Sequence, residues 1–599
     1  MPASSYANRL NQLRAISLQP VNVFARFKAR FDFKILIFLG VIAVLLWQVS
    51  VPLFMIVYGS LKTVSPGAEG FWSFSFTLSN FVRGYSQPLF SSSLINTLTI
   101  ATGSAFLGWS VAFLLAWVVE RTDAPFRQII FTISIARMIL PGILTTLAWI
   151  MLLSPNIGLI NKLMMTLPFI ENPPFNVYSV AGIIWIMGID LIPTSFLLMW
   201  AALRSVDPAL EEAAATAGSG PLGTLYRVTL PMIRPAVIAV WLLAWIRGVE
   251  NFEVPALVGY PHGINTFSTQ IYYNTATTPV DYGLSSAYAM ALLLTSIIAI
   301  FFYLRATRAA SSFMTITGKG YRPQRINLGG WRYLAAGISL LVLFATIGLP
   351  LIVLVYESFL PYPQSFSWQS FQYMNFDQYR IVWFGYGDTL LAFANSTIVS
   401  IASATIIVIL VSIVSWITVR TKIRGRGLLD VLAFAPTAVP GLVLGLSFLW
   451  LYLAVPWGSF ILGSVWIITL AMVTNWMPFA MRTVSASMVQ IHNELEEASY
   501  VAGASWFKTF RSVVVPLVLP GVLAAWIWVV VHAFRDVTTS LMLFSQSNQT
   551  VGVLIFLLFE RGTYNTVAAL GVILMGVLML LVILMHWSNR HFGIYSGKL

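Results

Sequence analysis

Apolar residues run along this chain in blocks of about twenty or more, each long enough for a helix to cross roughly 30 Å of hydrocarbon. Twelve blocks are bounded by charges, Pro/Gly clusters or aromatics: near residues 35–58, 95–119, 128–153, 177–203, 236–258 and 284–304, then 333–356, 391–418, 428–455, 462–486, 521–543 and 565–587. The pattern predicts an all-α polytopic membrane protein of about twelve transmembrane helices. The first block is too long for a signal-peptide core and no small-residue cleavage site follows it, so it is expected to remain a span.

Composition agrees with that reading. With 58% hydrophobic and 9% charged residues in 599, too few charges remain to solvate three or four soluble domains. The absence of cysteine excludes disulfides, thiolate metal sites and cysteine nucleophiles. A net charge of +13 raises the question of nucleic acid, and the positions of the charges answer it. Of the 34 Lys and Arg, 26 fall on one predicted side. They include the N-terminal tail, the central linker (Arg305, Arg308, Lys319, Arg322, Arg325, Arg332), Arg121, and Arg420 with Lys422, Arg424 and Arg426. Only Lys62, Arg83, Lys162, Arg380 and Arg561 fall opposite, while Arg137, Arg247 and Arg535 lie at membrane depth. The positive-inside rule therefore predicts cytoplasmic termini, and a lipid bilayer rather than nucleic acid explains the basic balance.

The chain is also written twice. Asn96, Trp117, Arg121-Thr122 and Pro141-Gly142 recur 299 positions later as Asn395, Trp416, Arg420-Thr421 and Pro440-Gly441. Farther on the offset is 285: Pro193 matches Pro478, Leu210-Glu211-Glu212-Ala213 matches Leu495-Glu496-Glu497-Ala498, Gly218 matches Gly503, and Pro231 matches Pro516. An even number of spans per copy makes the repeats parallel, with a pseudo-twofold axis along the membrane normal and a path expected on that axis. The expected units are residues 1–318 and 319–599, two separately packable six-helix repeats joined by the linker 305–332 with Gly318, Gly320 and Pro323.

The longest inner loop of each repeat carries the most specific pattern. Asp207 and Pro208 read as an N-cap and first helical position, and Asn493 with Glu496 resembles a capping box. Small residues follow, then Gly218 or Gly503 to end the helix, and Pro231 or Pro516 before the chain re-enters the membrane. Each loop is expected to form a helix-turn-helix knob. Glu212-Ala213-Ala214, three residues, Gly218, nine residues and Val228-Thr229-Leu230-Pro231 resemble the signature of the permeases of binding-protein-dependent ABC importers: Glu-Ala-Ala, three residues, Gly, nine residues, Ile-x-Leu-Pro. Glu497-Ala498-Ser499, Gly503 and Val513-Val514-Val515-Pro516 keep the spacing, with Ser499, Val513 and Val515 as conservative departures.

The resemblance implies the fold of a type I ABC importer permease. It further implies two copies of an ABC ATPase subunit docked on these loops from the cytoplasm and a periplasmic substrate-binding protein on the opposite face of a bacterial inner membrane. Coupling is carried over to Glu212, Ala213, Ala214, Gly218, Pro231, Glu497, Ala498, Ser499, Gly503 and Pro516. Fusion of two permeases in one chain resembles the ferric-iron branch, and related fused permeases handle phosphonates, sugar phosphates or thiamine. The alternative from another class is a secondary transporter that needs no ATPase. No phosphate-binding Gly-x-x-x-x-Gly-Lys-Ser/Thr motif occurs, because Phe313 stands where Gly318-Lys319 would require the first Gly. ATP and Mg²⁺ are therefore expected on the partner, with no cofactor, metal site or catalytic residue on this chain.

Ionisable residues at membrane depth cost roughly 2.5–3.5 kcal/mol each on insertion scales and are candidates for a path or gate. Arg247, Glu250 and Asn251 fall on one helical face with Glu253 one turn beyond, and the repeat sets His532, Arg535 and Asp536 opposite them. Asp190 matches Asn475. A Glu250–Arg535 pair across the axis is expected, and Arg137 has no evident partner. Structural ion pairing and path lining both remain open for this set. Carboxylates would suit a bare Fe³⁺ and arginines a phosphate or phosphonate. The outer loops 59–94 and 357–390 carry Trp72, Phe81, Tyr85, Tyr373 and Tyr379, which read as interface anchors or as a docking face for the binding protein.

Overall fold

The computed structural model describes residues 33–311, 325–364, 367–385 and 387–591. The expected repeat boundary at 318/319 and Arg9, Arg14, Arg26, Lys28 and Arg30 of the N-terminal tail, Lys319, Arg322 and Lys598 lie outside them. The first repeat contains α1 (Ile35–Ser60), α2 (Pro88–Arg121), α3 (Arg127–Ala136), α4 (Gly142–Leu153), α5 (Val180–Arg204), α6 (Pro208–Thr216), α7 (Leu225–Glu250), α8 (Phe267–Ala276) and α9 (Tyr282–Ser311). The second repeats this order with α10 (Trp331–Ser358), α11 (Thr389–Arg420), α12 (Arg426–Phe434), α13 (Gly441–Ala454), α14 (Val465–Val489), α15 (Asn493–Val501), α16 (Phe510–Phe534), α17 (Val551–Glu560) and α18 (Tyr564–His591).

Twelve continuous spans do not form. Among the described residues nine helices are long and apolar enough to cross a membrane, or ten with one bent pair. The third and ninth blocks break at Pro141 and Pro440, because proline drives the residue before it out of helical geometry: Leu140 has ψ 125° and Val439 ψ 116°. Helix segments Arg426–Ala438 and Gly441–Ala454 consequently meet at 109°. The tenth block is the 25-residue α14, as long as α5, made less apolar by Thr474, Asn475 and Arg482. α7 and α16 end at Glu250 and Phe534, so the apolar stretches beyond them fold as separate short turns.

Nor do the repeats pack separately. The N-terminal half of α1 lies on α11 and α12 and its C-terminal half on α13 as well as α9, while α10 mirrors this against α2 and α3, then α4 and α18. Close approach at the exchanged helices is set by small residues. A Cβ at Gly59 would meet the Trp450 ring at 2.7 Å, and one at Gly571 would meet Leu144 at 2.5 Å. The exchange leaves one hydrophobic core running through both repeats.

Proline also dictates how the exchanged helices dock. Pro52 and Pro350 lack the N–H that would bond the carbonyl four residues back, freeing Gln48 O and Thr346 O at the π-turns Leu46–Ser50 and Phe344–Gly348. A buried carbonyl in a lipid-embedded bundle needs a donor. Both find one on the opposite repeat: Thr474 Oγ1 donates to Gln48 O at 3.2 Å and Arg137 Nη1 to Thr346 O at 2.7 Å. Thr474→Val should therefore lower stability by about 1–2 kcal/mol, read as a drop in unfolding temperature in detergent. Thr397→Val, at an exposed hydroxyl that bonds back to its own helix, should change little.

Candidate functional site

The break before α4 organises a polar cluster where the repeats meet. Arg137, 4% exposed, forms an ion pair with Asp190 of α5 and donates through Nε to Ile189 O at 3.2 Å. Ile189 is four residues before Pro193, so this carbonyl too is freed by a proline. One guanidinium thus serves two proline-freed carbonyls and a carboxylate on two helices, α5 and α10. Asp190 is the partner that sequence reasoning did not find for Arg137. The four-residue spacings to Pro193 and Pro350 were the available signal.

Around this hub, Glu253 lies beside Gly142 at the start of α4, where a Cβ would meet Glu253 Oε2 at 2.9 Å and Asp190 Oδ2 at 3.5 Å. Arg535 crosses from the second repeat and donates to Leu140 O at 2.8 Å, within electrostatic reach of Glu253, Asp190 and Asp536. Asp536 caps the following short helix, accepting from Thr539 N at 3.0 Å and Ser540 N at 3.2 Å. Asn251 plays the same part in the first repeat toward Val254 N, at 3.2 Å. The second repeat's counterpart to the Gly142 site is nearly uncharged: Gly441 faces Thr539 and Asn475, with Asn475 Nδ2 3.5 Å from Thr539 Oγ1. Three carboxylates and two arginines therefore gather asymmetrically where the repeats meet. Among the described residues no three His, Asp or Glu side chains form a metal-ligand set.

The expected Glu250–Arg535 pair is absent. Glu250 meets Arg247 of its own last turn at 3.5 Å, because the helix ends at Glu250 and the chain then turns away. Arg247 is left more than half exposed. His532 stacks on Trp528 at 3.8 Å and bonds its carbonyl through Nδ1 at 2.8 Å, so it belongs to an aromatic column with Phe479 and Trp476.

Both inner loops form the expected knobs. α6 ends with Gly218 at φ +84° and Ser219 N bonded to Ala214 O at 2.9 Å, and α15 ends with Gly503 at φ +79° and Ala504 N bonded to Ser499 O at 3.1 Å. These are matching left-handed terminations that only glycine adopts without strain. Asp207 Oδ1 accepts from Ala209 N at 3.0 Å, as an N-cap does. Asn493 departs from expectation: it lies inside the first turn after His492, and its side chain and that of Glu496 both turn toward Arg420 instead of forming a capping box. The opposite faces are bare, with Glu212, Ala213, Gly218, Glu497, Ala498 and Gly503 exposed beside Leu210, Tyr226, Leu495, Tyr500 and Val501. Ala214 and Ser499 are half-buried, and Pro231 and Pro516 sit in the first turn of the helices that follow the π-turns.

In the loops 59–94 and 357–390 most of the singled-out aromatics are tied into the protein. Trp72 Nε1 donates to Ala454 O at 3.1 Å across the repeats, Tyr85 to Ala287 O at 2.9 Å, and Tyr379 shares a 2.8 Å bond with Ser358. Phe81 packs edge-on against Tyr85, while Tyr373 is exposed. Across the repeats, Tyr272 packs on Phe556 and Tyr273 OH donates to Glu560 at 3.1 Å.

Comparison with known proteins returns one family twice. The model for binding-protein-dependent transport system inner membrane components matches residues 108–312 and 409–593. The chain is 28% identical over 417 residues to a ferric transport system permease protein of Actinobacillus pleuropneumoniae, covering 68% of this chain and 58% of that one. This chain thus spans well under two thirds of that relative's length. A spermidine/putrescine transport system permease protein of Haemophilus influenzae is 26% identical over 260 residues, 43% of this chain and 98% of that one. A solved bacterial importer of the polysaccharide alginate aligns with TM-score 0.39 and 20% identity, over 48% of this chain and all of that one.

The hub gives a stability test. Arg137→Gln should destabilise by about 3–5 kcal/mol, since it strands a buried carboxylate and two carbonyls. Adding Asp190→Asn should recover part of that loss in the same thermal unfolding measurement.

Proposed function

This chain belongs to the family of binding-protein-dependent transport system inner membrane components, and from that premise we propose that it is the transmembrane permease subunit of an ABC importer. Two ATPase subunits dock on the knobs at 207–231 and 493–516 from the cytoplasm, and a periplasmic binding protein delivers cargo to the opposite face. The observation that carries the reading is the pair of knobs. Their identical glycine terminations and bare small-residue faces suit close approach by the same partner twice. ATP binding closes the two ATPase subunits, the knobs follow, and the axis opens alternately to each side.

For the cargo we propose ferric iron, and the support is of two kinds. The first relative is a ferric transport permease, and Asp190, Glu253 and Asp536 supply hard oxygen atoms at the axis, as a trivalent cation prefers. No resident iron site is implied; the ion is cargo and passes the carboxylates. Arg137 and Arg535 restrain those carboxylates, which suits brief contact.

The reading is tested by reconstitution. The wild-type chain should co-purify with an ATPase subunit, and a binding protein loaded with Fe³⁺ should stimulate ATP hydrolysis. Stimulation by a binding protein loaded with spermidine or 2-aminoethylphosphonate instead would reassign the cargo. Uptake by the purified chain alone, driven by an ion gradient, would make it a secondary transporter. Replacing Gly218 or Gly503 by Val forces a β-branched residue into a left-handed conformation at roughly 1–2 kcal/mol or more. Each variant should stay folded and lose ATP-driven uptake or ATPase association.

A further inference from the structure

Each knob is tied to the bundle by an arginine–glutamate contact, Arg121 with Glu211 and Arg420 with Glu496, whose four residues lie outside the family pattern. Arg121 is the last residue of α2, and its side chain has no solvent exposure. Its Nη1 lies 2.9 Å from Glu211 Oε2, and its Nη2 donates to Leu203 O at 2.6 Å and Val206 O at 3.4 Å, at the end of α5. The other oxygen of Glu211 accepts from Thr229 Oγ1 at 2.6 Å, where α7 begins. In the second repeat Arg420 ends α11, with its side chain 7% exposed. Its Nε lies 3.3 Å from Glu496 Oε1, its Nη2 donates to Met488 O at 2.9 Å and Ile491 O at 2.7 Å, and its Nη1 bonds Asn493 Oδ1. Ser499 Oγ, 2.9 Å from Thr509 Oγ1, closes the second knob onto the start of α16.

An arginine that serves only to orient the chain in the membrane would be solvated. These two are buried, and in each, one guanidinium nitrogen donates to two helix-end carbonyls while another lies within ion-pair distance of a knob carboxylate, contacts that the single nitrogen of a lysine would have to share. Each joins three elements at one point: the end of a long span, the end of its neighbour, and the knob. From there α2 has a direct route inward. Its Ala101 backs onto Gly248 of α7, where a Cβ would meet Ala101 Cα at 3.0 Å, one residue from Arg247.

We infer that Arg121 and Arg420 are positioning residues for coupling, which make each knob move as one body with α2 or α11 so that a displacement imposed on the knob reaches the axis. The inference rests on the proposed docking of ATPase subunits at the knobs. Without the latch a knob still presents its docking face, but its motion is absorbed locally.

The test is transport stoichiometry in the reconstituted complex of permease, ATPase and loaded binding protein. The Glu211→Gln/Glu496→Gln variant should unfold at a lower temperature, since two buried guanidinium groups lose their carboxylates, yet keep its ATPase subunit at the assay temperature while uptake per ATP hydrolysed falls about tenfold. Arg121→Gln should show the same defect and Arg121→Lys a smaller one. Wild-type uptake per ATP in the Gln variants would overturn the inference. So would loss of the ATPase subunit in step with a fall in unfolding temperature, which would make the latches merely structural. A wild-type chain that binds no ATPase subunit would instead overturn the functional reading beneath it.

Discussion

Within a bilayer every buried carbonyl needs a donor, and the prolines of this chain remove donors at chosen points. Gln48, Ile189 and Thr346 are each left four residues before a proline, and each finds its donor on another helix. Two of the three bonds cross from one repeat to the other. The exchanged helices α1 and α10 are thereby fixed in rotation and depth, and the core can run unbroken through both repeats. Arg137 concentrates this role, because its fork serves two of the carbonyls and the Asp190 carboxylate at once.

That arrangement assigns different work to the charges at membrane depth. Arg137 is fully engaged and nearly inaccessible, so it holds the frame. Glu253, Asp536 and Arg535 are half-buried around the break at Leu140, where their positions follow from helix ends and turns that a modest shift of α4 would alter. The second repeat presents Asn475 and Thr539 at the matching place, so the two repeats differ in charge there. At the other end of α2 and α11, buried Arg121 and Arg420 occupy helix termini in matching fashion. The frame and the knobs are therefore connected by rigid helices rather than by loops.

Much of this was legible in the sequence, for identifiable reasons. Membrane helices and the internal repeat follow from apolar run length and spacing, and the knobs from cap, small-residue and glycine order, all of them local signals. Pro141 and Pro440 were visible as repeat landmarks, yet the apolar runs around them read as continuous spans because composition does not register a bend. The exchange of α1 and α10 has no local signature at all. Glu250 and Arg535 were paired on repeat equivalence, which states that two positions are alike and not that they touch. Arg121 and Arg420 were counted as orientation charges because burial at a helix end depends on what α5, α14 and the knobs bring to them.

The central claim is that Arg137 is required because proline has removed a backbone donor. A double-mutant cycle between Arg137→Gln and Pro350→Ala, measured by thermal or denaturant unfolding, tests it most directly. Alanine at 350 restores an N–H for Thr346 O, so the account predicts that Arg137→Gln costs at least about 1 kcal/mol less in the Pro350→Ala background. Strict additivity of the two substitutions would contradict it.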